Sequence, residues 1–302
     1  MQEFMSSLDG FLGIPEEDSV APDSARCVFL PVPYEHTSSY GQGSCRGPEA
    51  ILEASHQVEF FDATLGFEPR GFCGGLATLF PLETESVDAP SLDANLCGEV
   101  ASWLVRDKFV FTLGGEHSSV TGSIRAHVKH FDEVTVLQLD AHSDLREAYE
   151  DNPWSHACAM ARVLDFHDRM VQVGIRSQCR EERQRSESLG IPVFYGEAIQ
   201  ARALAGEDWA GDIVRACSKR VYITLDCDVL EPFWMPATGT PEPGGLSWLQ
   251  INALLQRLCA EREVVGLDVN ELSPLTEIHY PQYLAAKLIY RFLGYRFGRS
   301  TT

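Results

Sequence analysis

Positive charge is scarce in this sequence. Only 24 of its 302 residues are Lys or Arg, against 44 Asp or Glu, for a formal net charge of −20. Just 4 of the 24 basic residues are lysines. Binding to nucleic-acid phosphates needs Lys and Arg to neutralise anions, and so does adsorption to anionic lipid, so both partner classes are excluded. An acidic balance would suit a cationic ligand, although it serves solubility equally well. Also missing is any run near the roughly 18 consecutive apolar residues of a membrane span. The first residues, MQEFMSSLD, lack the basic and apolar stretches of a leader peptide. The nine cysteines include no C-x-x-C pair, which argues for reduced, buried thiols rather than a disulfide framework. These absences together lead us to expect a soluble, cytoplasmic protein. No repeat and no Pro/Gly-rich linker divides the chain.

With 44% hydrophobic residues, the chain has enough apolar surface to bury a sizeable core. Short apolar runs at 27–31, 109–113, 134–139, 170–174, 192–195, 221–225 and 264–268 read as strands buried on both faces. Helical patterns fall at 48–61, 92–106, 118–131, 179–189, 247–262 and 282–294. The alternation predicts an α/β fold, a single three-layer α/β/α domain with a mostly parallel sheet, over 26–302. The weakly patterned, acidic segment 1–25 is expected to be an arm lying on the surface. In parallel sheets, ligands bind beyond the carboxyl ends of the strands, so functional residues are expected just after each strand run.

Three chemically loaded groups stand at those positions. Gly114-Gly115-Glu116-His117-Ser118 follows the second strand run and puts His117 at the opening of a helix. Asp140-Ala141-His142-Ser143-Asp144 follows the third, and alternation along an extended chain would turn Asp140, His142 and Asp144 to one side. Asp226-Cys227-Asp228 follows the sixth with the same spacing, leaving Cys227 to pack on the opposite face. Two imidazoles and four carboxylates without a basic run nearby would repel unless cations joined them. Two divalent cations balance four carboxylates, and an oxygen-rich, thiolate-free donor set suits Mn²⁺, with Ni²⁺, Co²⁺ or Fe²⁺ also compatible. Such a pair can hold a bridging water, lower its pKa and present hydroxide to an electrophilic carbon.

These motifs resemble the ureohydrolases, the family of arginase, agmatinase and relatives. The resemblance runs from Pro33-Tyr34-Glu35 and Arg46-Gly47-Pro48 to Glu271-Leu272-Ser273-Pro274, with GGEHS, DAHSD and LDCDVLEP between. It implies the arginase-like fold, a binuclear manganese site and hydrolysis of a guanidino group to urea and an amine. It also implies that His117, Asp140, Asp144 and Asp226 hold one metal and Asp140, His142, Asp226 and Asp228 the other. His156 matches the family's proton shuttle, suited to protonating the departing amine. Glu271 matches the carboxylate that pairs with the substrate's planar guanidinium. Asp144 would share in proton transfer, and Trp154, Phe233 and Trp234 are candidate pocket walls.

The stretches 33–51 and 238–246 are most like the agmatinase branch, and no group for an α-carboxylate is evident. Agmatine, hydrolysed to putrescine and urea in polyamine biosynthesis, is therefore the expected substrate. Arginine, guanidinobutyrate, aminopropylagmatine and guanidine are the alternatives, as is a non-catalytic regulatory relative. The family also implies a homo-oligomer, a trimer or hexamer.

Overall fold

A computed structural model describes residues 4–298. Eight strands run in chain order: β1 (Cys27–Val32), β2 (Leu76–Thr78), β3 (Phe109–Gly114), β4 (Val134–Leu139), β5 (Met170–Ile175), β6 (Val193–Tyr195), β7 (Arg220–Asp226) and β8 (Glu263–Asn270). They form one sheet in the order β2-β1-β3-β8-β7-β4-β5-β6, with every pairing parallel. Nine α-helices are described: α1 (Gly47–Ser55), α2 (Ala89–Leu104), α3 (Thr121–His130), α4 (Ala159–Leu164), α5 (Arg180–Leu189), α6 (Gly196–Leu204), α7 (Trp209–Ala216), α8 (Trp248–Glu261) and α9 (Tyr280–Phe297). All seven expected strands form, within a residue or two of their expected ends. The three-residue β2 and the short α4, α6 and α7 span too few residues to stand out in the sequence.

Alternating side chains explain the three layers. Val221, Ile223 and Leu225 of β7 join one core cluster with Leu254 of α8 and Ile289 of α9, while Tyr222 between them enters a second cluster with Ile124 of α3 and Met160 of α4. On β1, Cys27 and Phe29 face the first cluster, and Val28 and Leu30 pack with Leu96 and Val100 of α2. Both faces of the sheet are thus covered, which is why the strands read as continuous apolar runs. No helix among the described residues is long and apolar enough to cross a membrane.

The amino-terminal segment departs from expectation. Residues 1–3 lie outside the described residues, but Phe11, Leu12 and Ile14 are buried in the main core. Phe11 stacks on Phe29 with ring centroids 4.3 Å apart, and Phe29 stacks on Phe111 at 4.5 Å. The Phe11 amide donates to Thr78 Oγ1 at 2.9 Å. The apolar cluster Phe11-Leu12-Gly13-Ile14 drives this burial and anchors the segment in the core, whereas most of 15–24 stays exposed.

Four strands position the chemically loaded loops. β3, β8, β7 and β4 are consecutive in the sheet, so the segments leaving them meet at its centre, above their carboxyl ends.

Candidate active site

The chain leaving β3 turns through Gly114 and Gly115. A Cβ on Gly115 would lie 2.1 Å from the Tyr34 carbonyl oxygen, so only glycine lets the strand end pass so close to the β1 loop. His117 then opens a 3-10 turn, His117–Val120, leading into α3. Beyond β4, Asp140, His142 and Asp144 lie on loop rather than strand, and Asp144 has φ +52°. Their convergence therefore comes from a turned backbone and not from simple alternation, although the spacing remains a sound guide. Asp226 ends β7, and Asp228 lies in the 3-10 turn Cys227–Val229 with Cys227 buried in the core. Glu271 follows β8 with φ +61°. Such left-handed conformations are uncommon for residues other than glycine and cluster at functional sites.

These residues form two contiguous groups. His117 Nδ1 lies 3.0 Å from Asp140 Oδ2, 2.9 Å from Asp144 Oδ2 and 3.6 Å from Asp226 Oδ2. His142 Nδ1 lies 2.9 Å from Asp228 Oδ2 and 3.7 Å from Asp140 Oδ1. Asp140 therefore stands between the groups, and two sets, His117/Asp140/Asp226 and Asp140/His142/Asp228, are close enough to share an ion. The far oxygens are pinned by backbone amides: Ala141 donates to Asp228 Oδ1 at 2.9 Å, Asp228 to Asp226 Oδ1 at 2.8 Å and His142 to Asp140 Oδ1 at 2.6 Å.

Counting protons on His117 tests whether the site suits a cation. Thr224 Oγ1 donates its one proton to Asp268 Oδ1 at 2.7 Å, so it can only accept from His117 Nε2, 2.9 Å away. Asp268 also accepts from Tyr222 and Asn270. Nε2 therefore carries the proton of the neutral imidazole, and Nδ1 turns a lone pair toward three carboxylates. Nδ1 is buried and has no hydrogen-bond partner of acceptable geometry. A lone pair facing carboxylate oxygens calls for positive charge between them, a proton on the ring or a metal ion, and imidazole plus carboxylates are ordinary donors for such an ion. The residues fit a divalent pair.

Among the protein groups alone, the electrostatics are severe. Burial opposes protonation of His117, yet Asp140 and Asp144 hold its pKa well above the usual value. Burial likewise opposes His142, but Asp228 beside it raises its pKa to about 10. Burial, then Asp228 and Asp144, push Asp140 up to about 7. Burial and the neighbouring carboxylates also drive Asp226 well up, whereas His142 and the Ala141 amide overcome burial and hold Asp228 well below the carboxylate range. Burial, followed by repulsion from Glu116, raises Glu271, whose Oε1 accepts the His117 amide at 2.7 Å.

The site opens into a cavity of about 280 Å³ lined by His142, Asp144, Asp226, Asp228, His156 and Glu271, whereas His117 and Asp140 are buried and do not line it. The aromatic lining differs from expectation. It is supplied by Tyr40 and Tyr149, whereas Trp154, Phe233 and Trp234 do not line the cavity and Phe233 is 75% exposed. Sequence reasoning also gave no role to several supports. Arg176 holds the loop after β7 by donating to the main-chain oxygens of Asp228 at 2.6 Å and Glu242 at 2.7 Å. Buried Glu116 accepts four hydrogen bonds beside the cavity, two of them from Thr37, which also touches His156. Thr37 lies within the first motif and Glu116 within the second, but their meeting is a long-range contact.

A model of the arginase family matches residues 25–294. The chain belongs to that family. It is an arginase-family ureohydrolase, a class of hydrolases acting on guanidino compounds. It is 37% identical over 279 residues to an N(1)-aminopropylagmatine ureohydrolase of Synechocystis, covering 90% of this chain and 89% of the relative. It is 38% identical to one from Thermus thermophilus, with 90% of each covered. An agmatinase of Pyrococcus horikoshii is 30% identical, with 88% and 90% covered. Among solved structures, the agmatine ureohydrolase of Thermoplasma volcanium superposes with TM-score 0.84 at 29% identity, covering 97% of this chain and 95% of that one.

Proposed function

We propose that this arginase-family chain is a binuclear metal-dependent hydrolase that releases urea from the guanidino group of an agmatine-type amine. The observation that carries the reading is the buried His117 Nδ1 set among three carboxylates at the centre of the sheet. In this reading one cation would be held by His117, Asp140, Asp144 and Asp226, and the other by Asp140, His142, Asp226 and Asp228. Manganese is the metal we favour. When bound, the cations supply Lewis acidity and the positive charge that lets water ionise near neutral pH.

The chain's own residues do the rest. Glu271 has one oxygen committed to the His117 amide, leaving Oε2 to accept from a guanidinium and fix its plane. A guanidinium would also meet the charge that burial makes costly at Glu271, so binding and ionisation support each other. Asp144 accepts a proton from the attacking water and passes it on. His156 lines the same cavity and protonates the departing amine, which leaves poorly as an anion. Tyr40 and Tyr149 flank the alkyl chain.

The name of the substrate shifts from the expectation of agmatine. Four relatives at 30–38% identity are named N(1)-aminopropylagmatine ureohydrolases, while the agmatinases compared stand at 29–30%. We therefore place aminopropylagmatine ahead of agmatine. An α-carboxylate substrate is disfavoured because the cation lining the cavity, Arg146, already faces Glu182 at 3.8 Å and the ring of Tyr149 at 5.2 Å. We extend the reading to a cytoplasmic homo-oligomer serving polyamine synthesis.

A urea-release assay with aminopropylagmatine, agmatine, arginine, guanidinobutyrate and guanidine, run with Mn²⁺ and with chelator, tests this. The highest kcat/KM is expected for aminopropylagmatine, with activity lost on chelation. Arginine as the best substrate, or no urea from any compound with the metal loaded, would overturn it.

A further inference from the structure

His156 comes from the loop after β4, in the 3-10 turn His156–Cys158 that leads into α4, and its ring touches residues far away in sequence. Thr37 Oγ1 accepts the His156 backbone N–H at 2.9 Å and lies 3.2 Å from His156 Nδ1. The same hydroxyl is 2.7 Å from Glu116 Oε1. Glu116 is fully buried. Its Oε2 accepts the His36 amide at 2.8 Å and the Thr37 amide at 2.6 Å, and its Oε1 accepts the Ser118 hydroxyl at 2.5 Å. Four donors thus converge on its two oxygens, both of which act as acceptors.

Protons are therefore handed inward from His156 to Glu116. A threonine hydroxyl has one proton, and Thr37 donates it to Glu116 Oε1, 2.7 Å away. The lone pairs of Thr37 Oγ1 are left to face His156, so the ring nitrogen beside them must be a donor. Ser155 Oγ, 3.3 Å from the same Nδ1, supplies a second weak acceptor. Nε2 makes no hydrogen bond to any described residue, and the ring lines the cavity.

We propose that Glu116 and Thr37 are positioning residues that fix His156 as the Nδ1–H tautomer and hold its Nε2 open to the substrate. The inference rests on the reading of His156 as the acid that meets the leaving amine. In the neutral ring Nε2 is the lone pair that collects a proton, and in the charged ring Nε2–H is the donor aimed at the amine nitrogen. Without Thr37 the ring can flip or change tautomer, and the productive nitrogen is presented only part of the time. The arrangement parallels the neighbouring centre, where Asp268 acts through Thr224 on His117, although there Nε2 carries the proton and Nδ1 faces the site. A carboxylate–threonine–histidine relay thus sets a tautomer twice, each time leaving the unprotonated nitrogen of the neutral ring toward the site.

The test compares Thr37→Val, which keeps the shape and removes the hydroxyl, with Thr37→Ser, which keeps the hydroxyl, using Mn²⁺-loaded protein and aminopropylagmatine. For Thr37→Val we expect kcat to fall about ten- to a hundredfold, part of what a general acid contributes, with KM within about twofold. Thr37→Ser should recover most of the loss. Nitrogen-15 spectra of histidine-labelled, metal-free protein should show the His156 signal, assigned through His156→Asn, as a pure Nδ1–H tautomer in wild type and as a mixture in Thr37→Val. Equal behaviour of the Val and Ser variants, a rise in KM with kcat intact, or an unchanged tautomer signature would overturn the inference. His156→Asn separates the two levels: native kcat in that variant refutes the shuttle reading itself, whereas a dead His156→Asn beside a fully active Thr37→Val refutes only the role of Thr37.

Discussion

His117 and His127 sit on one continuous stretch of chain, both fully buried, and their surroundings drive them in opposite directions. His117 stands at the carboxyl end of the sheet with three carboxylates around Nδ1, which carry its affinity for positive charge far above the usual value. His127 lies on α3 against the sheet face. Its Nδ1–H donates to the Ser123 carbonyl at 2.8 Å, its ring packs on Tyr222 at 4.6 Å, and a Cβ on Gly266 would come within 2.4 Å of its Nε2. Burial, against only a small gain from Ser123, lowers its pKa to about 4. Desolvation acts on both rings, so the difference is made by the carboxylates. A buried histidine here is thus a packing residue unless the fold also buries acids beside it. Acids are buried at the centre of the sheet's carboxyl end because His117, the two aspartate motifs and Glu271 follow four adjacent strands.

The comparison can be broken most strongly at the acid cluster. Replacing His117 or Asp228 by Asn should remove several kcal/mol of transition-state stabilisation, and so more than about a hundredfold of metal-dependent urea release. His127→Phe should leave kcat within about twofold at neutral pH. Steady-state assays at saturating Mn²⁺ decide it, and comparable losses in the His117 and His127 variants would erase the distinction.

Acidification should expose the other half of the comparison. His127 has a folded pKa near 4, below the ordinary 6.5. The unfolded chain therefore binds the extra proton first, and stability is fully present above about pH 6.5 and lost as pH falls toward 4. The expected loss from this group is about 3 kcal/mol, by denaturant titration across that range. The His127→Phe variant should lack this part of the slope, even if it is less stable throughout. An identical slope in both proteins would show that His127 is not held neutral.

A third effect is of similar size. Cations that bind only the folded cluster should stabilise it by about 2.7 kcal/mol at a hundredfold excess over Kd. A rise in Tm with Mn²⁺ is thus expected for wild type and His127→Phe and should be smaller in His117→Asn. The smallest effect concerns Thr224. Its removal in Thr224→Val frees the His117 ring and should weaken metal affinity about 10–100-fold, measured by chelator competition. Unchanged affinity would mean that the Asp268–Thr224 pair does not set the ring.

Much of this was legible in the sequence, for reasons that also mark where legibility ends. The strand runs showed because both faces of the sheet are buried, and the site motifs showed because each lies within a few residues of a strand end. The exposed-looking amino-terminal segment misled, since Phe11 finds Phe29 only in three dimensions. Asp144 was found by spacing although its backbone turns through a positive φ that alternation does not describe. The relays Glu116–Thr37–His156 and Asp268–Thr224–His117 join residues from distant segments of one chain, so no local pattern reveals them.

Whether the acid cluster is a two-cation site is tested most directly by equilibrium titration of chelator-treated protein with Mn²⁺, counting bound metal per chain. Two equivalents are expected in wild type and His127→Phe, with urea release returning as the cluster fills, and fewer than two in His117→Asn. A folded wild-type protein that binds no Mn²⁺, or that releases urea at full rate without metal, would contradict it.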